Sequence, residues 1–370
     1  YNDNVNDPKI KKWLGEVVGK EGEDLSRHDK WLCMMYPRLV LLQKLLAEDG
    51  AIFISIDDNE HANLLLVCNE IFGSNNFIQD IIWNKRVSPA RDAKFFSTDH
   101  EYILVYSKNK ESLTTHFLPR TEKNNSYYKN PDNDPRGPWN SAAYTCNKSR
   151  DERPNLYYPI TNPYTGEKIF PKESAVWAYS EETYQQHVRD NLLYWGVNGE
   201  AKQPRKKAFL SEVGDVVPRS VWSHSDVGST QKATMENNTI FNMRAFSYPK
   251  VSTLVERIIQ IASDKDSIVL DSFAGSGTTA HAVLNMNKSD GGNRKFILVE
   301  MGDYADTITA ERVKRVINGY GEGKNAVEGT GGNFSYYELG NPLFMQDGTI
   351  NDEVDITEVR KYVWYTETNG

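Results

Sequence analysis

The chain has 370 residues, of which 39% are hydrophobic and 25% are charged, with 43 Lys and Arg against 51 Asp and Glu and a net charge of −8. This composition is typical of a globular protein, and the length predicts two or three domains. No apolar run approaches the roughly 20 residues of a membrane-spanning helix. An acidic total by itself also argues against a nucleic-acid partner, because phosphate binding relies on Lys and Arg.

The three cysteines, Cys33, Cys68 and Cys146, lie far apart and form no C-x-x-C pair. We therefore expect neither a disulfide framework nor a cysteine zinc site, and we expect a cytoplasmic protein. The seven histidines form no H-x-x-x-H or H-E-x-x-H pattern, so no metal is expected.

The first third of the chain has the pattern of an α/β protein. Apolar residues at spacings of three and four predict a helix over 25–47 and another over 64–72. Between them, 51–56 (AIFISI) is a short apolar run that predicts a buried strand. Two further strands are predicted at 77–83 and 101–106, and we expect these two to form a hairpin.

Residues 108–220 differ from the first third of the chain in composition and in hydrophobic pattern. Ten prolines interrupt this segment, and no long periodic helix precedes Glu181. It contains 17 Lys and Arg against 14 Asp and Glu, a balance of +3, which leaves −11 for the rest of the chain. We interpret it as an irregular, mostly β or loop-rich insertion with a less acidic surface.

The α/β pattern returns after residue 240. The periodicity there predicts, in chain order, helix 251–262, strand 267–270, helix 278–284, strand 295–300 and helix 305–317. A glycine-rich turn joins the first of these strands to the helix that follows it. This order is a β-turn-α-β unit with a glycine fingerprint in its first turn.

The turn lies in VLDSFAGSGTTA, residues 269–280. Gly275 and Gly277 leave the backbone bare, and the helix start offers free N–H groups to a ligand. Glu300 follows at the end of the next strand, where a carboxylate accepts hydrogen bonds from ribose hydroxyls. No Lys-Ser/Thr follows the glycines, which excludes a Walker phosphate loop, whereas a nicotinamide site and a glycine turn without any ligand both stay open.

Three segments together resemble the cofactor motifs of beta-class DNA amino-methyltransferases, which use S-adenosylmethionine (SAM). They are FSYPKVSTLVERII, VLDSFAGSGTTAHAV and KFILVE. A wider set of segments is similar to the modification subunit of type III restriction-modification systems. These segments are SRHDKWLCMMYPRLVLLQKLL, DGAIFISIDDNE, PRKKAFLSEVGDVVPRSVW and YVWYTET. This resemblance covers nearly the whole chain. It implies an α/β SAM-dependent methyltransferase fold, a Rossmann-like, doubly wound, mainly parallel sheet of seven strands with an antiparallel hairpin at one edge, interrupted by a target-recognition domain.

The resemblance also assigns the cofactor-binding residues. They are Lys250, Ser252, Asp271, Phe273, Ala274, Gly275, Gly277, Thr278 and Glu300. The turn would lie under the methionine part of SAM, with Asp271 facing its ammonium group and Glu300 holding the ribose hydroxyls. Lys250 and Ser252 would face the methionine carboxylate, although an exposed Lys at a helix start is an equally good interpretation of Lys250.

The family's catalytic tetrapeptide, D-P-P-Y, does not occur in this sequence, and neither does N-P-P-Y. Asn162-Pro163-Tyr164 lacks the second proline, and we interpret it as a turn. In the family the tetrapeptide precedes the segment that resembles Tyr1–Asn4, so we expect it upstream of Tyr1. No catalytic residue is therefore assigned in this chain, and we expect the 370 residues by themselves not to transfer a methyl group.

Basic residues cluster late in the insertion and predict a strip that contacts DNA phosphates. These are Lys202, Arg205, Lys206, Lys207 and Arg219. Contacts of this kind position a duplex without reading its sequence. A solvated charged loop is an almost equally good interpretation.

The predicted domains are 1–107, the catalytic half; 108–235, the DNA target-recognition domain; 236–325, the SAM-binding half; and 326–370, a C-terminal extension. The resemblance implies adenine-N6 methylation of duplex DNA after base flipping, with double-stranded DNA, a second copy of the chain and a restriction subunit as partners. Cytosine-N4 methylation, a DNA-binding module without catalysis and a nicotinamide oxidoreductase are the alternatives.

Overall fold

The computed structural model describes Lys12, residues 27–345 and residues 347–368. The chain divides into two compact units, one made of Tyr1–Thr114 with Ser220–Gly370 and the other of Thr115–Arg219. The second unit lies within residues 108–220, which were predicted as the insertion, and within the predicted target-recognition domain, 108–235. The predicted start of the first helix at residue 25 and the segment Tyr1–Asn4 lie outside the described residues.

The first part of the chain contains the predicted helices and strands. They are α1 (Arg27–Leu45), β1 (Ala51–Ile56), α2 (His61–Cys68), β2 (Phe77–Asn84) and β3 (His100–Ser107). Pro37 lies inside α1 without ending it. A π-helical turn, Asn69–Gly73, follows α2.

Strand β3 pairs antiparallel with both β1 and β2, which confirms the predicted hairpin of β2 and β3. One face of these three strands packs against α1 and α2. The buried side chains of this core are Trp31, Met34, Met35, Leu39, Leu64, Cys68, Phe72, Leu104 and Tyr106. Burial raises the pKa of the Cys68 thiol to about 12, so this cysteine is an unreactive core residue.

The second unit is built of short strands. Its elements are α3 (Glu122–Asn125), β4 (Trp139–Ala143), β5 (Thr145–Cys146), β6 (Ile160–Thr161), β7 (Lys168–Ile169), β8 (Val176–Trp177), α4 (Glu181–Arg189), β9 (Leu193–Tyr194) and β10 (Arg205–Phe209). Strands β4, β10 and β9 form an antiparallel sheet, and β5 with β8 and β6 with β7 form pairs. The core is mostly aromatic and contains Tyr144, Tyr158, Ile160, Trp177, Tyr184 and Trp195.

The chain then returns to the first unit. The remaining elements are β11 (Val221–Trp222), α5 (His224–Val227), α6 (Thr230–Phe241), α7 (Ser252–Ala262), β12 (Ile268–Asp271), α8 (Thr278–Asp290), β13 (Lys295–Leu298), α9 (Glu311–Asn318), β14 (Gly319–Tyr320), β15 (Val327–Glu328) and α10 (Ile356–Thr368). Helix α8 extends beyond the predicted residue 284. Helix α9 follows a π-helical turn, Ala305–Ala310, inside the helix predicted over 305–317. Helix α6 was not predicted.

The α/β class is confirmed, but the strands do not share one hydrogen-bonded sheet in the described part of the chain. Strand β11 pairs parallel with β2 and completes a sheet in the order β1-β3-β2-β11, whereas β12 and β13 form a separate parallel pair. Among the described residues β1 pairs only with β3 and β12 pairs only with β13, so no hydrogen-bonded ladder joins the two sheets. Within that range, no helix has the length and apolar character needed to cross a bilayer.

A buried ion cluster stabilises the second unit. The side chain of Lys207 in β10 is 1% exposed, and its Nζ lies 2.5 Å from Asp132 Oδ2 and 2.8 Å from Asp134 Oδ2. Hydrogen bonds from Arg136, reinforced by Lys207, hold the pKa of Asp134 well below its usual range despite burial. A buried ammonium group in this position cannot reach a phosphate, which removes Lys207 from the proposed DNA strip.

Replacing Lys207 with Met is expected to destabilise the chain by about 3 kcal/mol, because two carboxylates lose the buried charge that neutralises them. Unfolding by urea, followed by tryptophan fluorescence, measures this change. Lys202→Met, at an exposed position of the same unit, is the control and should change the free energy of unfolding by less than about 0.5 kcal/mol. Equal midpoints for the two variants would contradict the structural role of Lys207.

Candidate cofactor site

The glycine turn joins the end of β12 to the start of α8. Gly275 has φ +54° and Gly277 has φ +79°, a left-handed backbone that strains residues with a side chain. A Cβ atom at Gly277 would lie 2.9 Å from the carbonyl oxygen of Thr309. The Thr309 hydroxyl also donates to the Gly275 carbonyl at 2.6 Å. Glycine at 277 is therefore required both by the backbone angle and by the close approach of residue 309.

Asp271, the last residue of β12, closes the turn from one side. Its Oδ1 accepts the backbone N–H of Phe273 at 3.1 Å, and its Oδ2 accepts the hydroxyl of Thr279 at 2.5 Å. The carboxylate thus links the strand end to the first turn of α8. It is half-buried, so it keeps access to the space above the turn.

Glu300 closes the turn from the other side, two residues after β13. Its Oε2 accepts the N–H of Gly275 at 2.8 Å, and its Oε1 accepts the N–H of Gly302 at 2.7 Å. Burial and the nearby Glu300 raise the pKa of Tyr304 to about 12. Because β12 and β13 are parallel neighbours, Asp271 and Glu300 lie at the same edge of this strand pair, where ligands bind in α/β folds.

Lys250 and Ser252 contact carboxylates elsewhere in the first unit. Lys250 Nζ pairs with Glu101 Oε2 on β3 and lies 5.0 Å from the centroid of the Trp83 ring. Burial alone would raise the pKa of Glu101, but Lys250 and Lys85 together lower it. Ser252 donates its hydroxyl to Glu236. Both side chains thus contact carboxylates of the protein itself, and their predicted contact with a carboxylate of the ligand stays a prediction.

Thr278 connects these residues to the turn. Its hydroxyl donates to the Lys250 carbonyl at 3.2 Å and accepts a hydrogen bond from Arg312 at 2.9 Å. The structure therefore brings Asp271, the turn residues 273–278 and Glu300 into one site. It adds Lys250 through its backbone rather than through its ammonium group.

The sequence analysis missed Arg312, Glu236 and Glu101. Arg312 did carry a local signal, since it shares one helical stripe with Val313 and Val316, all three buried. A charged residue on an apolar stripe indicates a buried ion pair. Glu236 and Glu101 carried no such signal, because each is identified only by a partner far away in the sequence.

The chemistry of the site favours a ligand that donates hydrogen bonds. Two carboxylates and the free N–H groups at the start of α8 suit hydroxyl or ammonium groups beside a single anionic group. Two carboxylates facing a pyrophosphate would repel it. The bare backbone of the glycines allows such a ligand to lie against the main chain.

The predicted basic strip is only partly exposed. Lys202, Arg205 and Arg219 are exposed, and Arg205 donates to the Ser141 hydroxyl at 2.8 Å and to its carbonyl at 2.9 Å. Lys206 is half-buried, with its Nζ 5.2 Å from the centroid of the Tyr179 ring. Three of the five predicted cations thus remain at the surface of the second unit.

Asn162-Pro163-Tyr164 forms a turn between β6 and β7. The Asn162 side chain is buried, donates to the Gly199 carbonyl at 2.8 Å and accepts the Tyr164 N–H at 2.8 Å. All of these contacts are inside the second unit. An amide used in this way holds a turn together and is not available to a substrate.

The parallel strand pair, the glycine turn and the two carboxylates define a Rossmann-like, cofactor-binding α/β protein. Residues 1–311 match the N6_N4_Mtase family, described as DNA methylase. The chain belongs to this family. This match covers most of the chain and ends within the second segment of the first unit.

Individual relatives agree with the family match. The chain is 36% identical over 327 residues to the type III restriction-modification enzyme StyLTI Mod subunit of Salmonella typhimurium, covering 84% of this chain and 48% of that protein. It is 33% identical to the type II methyltransferase M.KpnI of Klebsiella pneumoniae, covering 74% of this chain and 67% of the relative. The predicted resemblance to type III modification subunits is thus confirmed, and the chain spans about half the length of the type III relatives it matches.

A solved structure also resembles this chain at a distance. It is a putative DNA modification methylase from Thermus thermophilus, complexed with S-adenosyl-L-methionine, with 15% identity, a TM-score of 0.36 and 78% coverage of both chains.

Gly277→Ala is expected to destabilise the chain by about 1–3 kcal/mol more than Gly291→Ala. Both glycines have positive φ, but a Cβ atom at Gly291 meets nothing within 4 Å, so this control isolates the clash with Thr309. Thermal unfolding by scanning calorimetry measures the difference. If both variants melt at the same temperature, the close approach of Thr309 does not constrain the turn.

Proposed function

We propose that this chain is the cofactor-binding and target-recognition part of a type III modification subunit, which transfers a methyl group from SAM to adenine N6 in duplex DNA. The observation that carries the proposal is the pair Asp271 and Glu300 on either side of a left-handed glycine turn, in a chain of the DNA methylase family. Identity of 36% to a type III Mod subunit supports the restriction-modification context.

The turn residues are proposed to bind SAM, which supplies an electrophilic methyl group. Asp271 would neutralise the ammonium group of its methionine part, since both carboxylate oxygens already lie at the turn. Glu300 would exchange part of its hydrogen bonding to Gly275 and Gly302 for the ribose hydroxyls. Phe273, Ala274, Gly275, Gly277 and Thr278 would form the floor beneath the ligand.

The second unit is proposed to hold the DNA target. Its exposed Lys202, Arg205 and Arg219 would contact phosphates and fix the orientation of the duplex. Methylation at N6 requires the adenine to leave the base stack, at a cost of a few kcal/mol. Phosphate contacts of this kind offset part of that cost without reading the sequence.

Partners and compartment belong to the same proposal. Double-stranded DNA, a second copy of the chain and a restriction subunit are the proposed partners, and the cytoplasm is the proposed location. The support is similarity to proteins named as Mod subunits of type III restriction-modification enzymes.

Cytosine-N4 methylation is the second candidate, because the matched family includes both amino-methylation chemistries in its name. The two reactions are separated with a protein that joins this chain to the family's tetrapeptide, by methylation of duplexes that contain only adenine or only cytosine in a candidate site. Mass spectrometry of the nucleosides identifies the product. A DNA-binding module without catalysis would protect one site in footprinting and produce no methylated nucleoside.

Isothermal titration calorimetry tests which cofactor the chain binds. The chain is expected to bind SAM in preference to NAD, and Glu300→Ala should weaken SAM binding by about tenfold or more, because a charged acceptor of ribose hydroxyls is lost. Glu328→Ala is the control, since that side chain is 88% exposed on the same unit. Preference for NAD, or equal SAM affinity in both variants, would overturn the assignment.

Titration of duplex DNA against the chain at several salt concentrations tests the basic strip. Lys202→Ala and Arg205→Ala should weaken binding to all sequences alike, and each should reduce the slope of log K against log salt by about 0.9. Lys168→Ala, at an exposed lysine of β7 outside the strip, serves as the matched control. An unchanged slope in both strip variants would mean that the strip does not contact phosphates.

A further inference from the structure

A completely buried arginine lies beneath the glycine turn. Arg312 in α9 is 0% exposed, and its Nη1 donates to the hydroxyls of Ser276 and Thr278, both at 2.9 Å. Its Nη2 donates to Glu236 Oε2 at 3.0 Å and to His281 Nδ1 at 3.1 Å. One guanidinium group therefore holds two residues of the turn and the first turns of α8.

Glu236 extends this cluster to the helix before the turn. Its carboxylate accepts the backbone N–H of Ser252 at 3.1 Å and also the Ser252 hydroxyl. Ser252 is the first residue of α7. The pair Arg312–Glu236 thus connects α9, α6, the start of α7 and the glycine turn.

The chemistry of the cluster specifies the state of His281. An arginine only donates hydrogen bonds, so His281 Nδ1 must accept and the ring must be neutral. Burial and the neighbouring Arg312 also lower the pKa of His281 well below its usual value. The remaining Nε2–H then points to the Tyr320 hydroxyl, 3.5 Å away.

A buried ion pair is costly, and replacing both of its partners by apolar side chains is often possible without loss of stability, so stability alone does not explain the pair Arg312–Glu236. The bonds of Arg312 to the side chains of Ser276 in the turn and Thr278 at the start of α8 indicate a role in the geometry of the turn. Ser276 and Thr278 are both buried, and their hydroxyls accept hydrogen bonds from Arg312, so these two residues are held from the protein interior. Holding these two side chains restricts the backbone of the glycine turn, and with it the backbone N–H groups that a ligand would meet.

We propose that Arg312 is a positioning residue for the cofactor, which acts through Ser276 and Thr278 to keep the glycine turn in its binding conformation before the ligand arrives. The proposal rests on the proposed SAM site and adds a residue that does not touch the ligand. Preorganisation of this kind raises affinity by reducing the ordering that binding requires.

Arg294 offers a matched control in the same unit. It is 6% exposed and pairs with Asp290 at 3.0 Å and with the Ser263 hydroxyl at 3.1 Å, at the far end of α8. Arg294→Met therefore also removes a buried arginine and its ion pair. It leaves the contacts of the turn intact.

The test compares Arg312→Met, Arg312→Lys and Arg294→Met by SAM titration calorimetry and by hydrogen exchange of backbone amides without ligand. We expect Arg312→Met to weaken SAM binding by about tenfold or more, Arg312→Lys to recover part of the loss, and Arg294→Met to bind like the wild type. Amides of residues 275–279 should exchange faster in Arg312→Met only. Equal SAM affinity of Arg312→Met and wild type, or equal losses in both Met variants, would overturn the proposal.

The exchange measurement separates this proposal from the proposed function. If the wild type binds no SAM, the proposed function fails, and the positioning role is then decided by exchange alone: faster exchange at the turn supports it, and unchanged exchange overturns it. If Arg312→Met does not fold, Ser276→Ala removes one acceptor of Arg312 with little change in volume. That variant is expected to weaken SAM binding by about threefold to tenfold and to speed exchange at the same amides.

Discussion

The left-handed backbone between β12 and α8 is the constraint on which the cofactor half of the first unit depends. A side chain at Gly277 would meet the Thr309 carbonyl, so the π-helical turn before α9 approaches this glycine too closely for any other residue. The glycine turn also donates two backbone N–H groups, from Phe273 to Asp271 on β12 and from Gly275 to Glu300 after β13. Strands β12 and β13, helix α8 and the π-helical turn therefore all contact this glycine turn, so a change of its backbone alters the packing of each of them.

Charged side chains inside this protein are neutralised by partners that lie close in space. Lys207 meets Asp132 and Asp134 in the second unit, while Lys250 meets Glu101 and Arg312 meets Glu236 in the first. Each pair satisfies groups that would be very costly to bury alone. Such pairing leaves the net charge of −8 almost unchanged at the surface, but it removes individual lysines and arginines from contact with solvent. What remains available to DNA is set by which lysines and arginines the fold leaves outside.

Much of the first unit was predictable because its signals are local. The apolar run of β12, the glycines and the apolar stripes of α7 and α8 lie within a few residues of one another, and β2 and β3 were recognisable in the same way. Helix α6 was missed because its sequence, TQKATMENNTIF, has few apolar residues and buries Asn237 alongside Ala233. The two-residue strands of the second unit are too short for any periodicity to show.

The sequence by itself determined the class of protein and the location of its cofactor turn, since family motifs, glycine positions and strand ends are properties of short segments. Only the tertiary structure decided what the charged side chains do. Lys250 and Glu101 are 149 residues apart, Arg312 and Glu236 are 76 apart, and Lys207 and Asp134 are 73 apart. Propensity and periodicity act over a few residues, whereas the partner of a buried charge is chosen by the packing of distant elements. For this reason the sequence placed Lys207 with the DNA contacts and did not identify Arg312 beneath the turn.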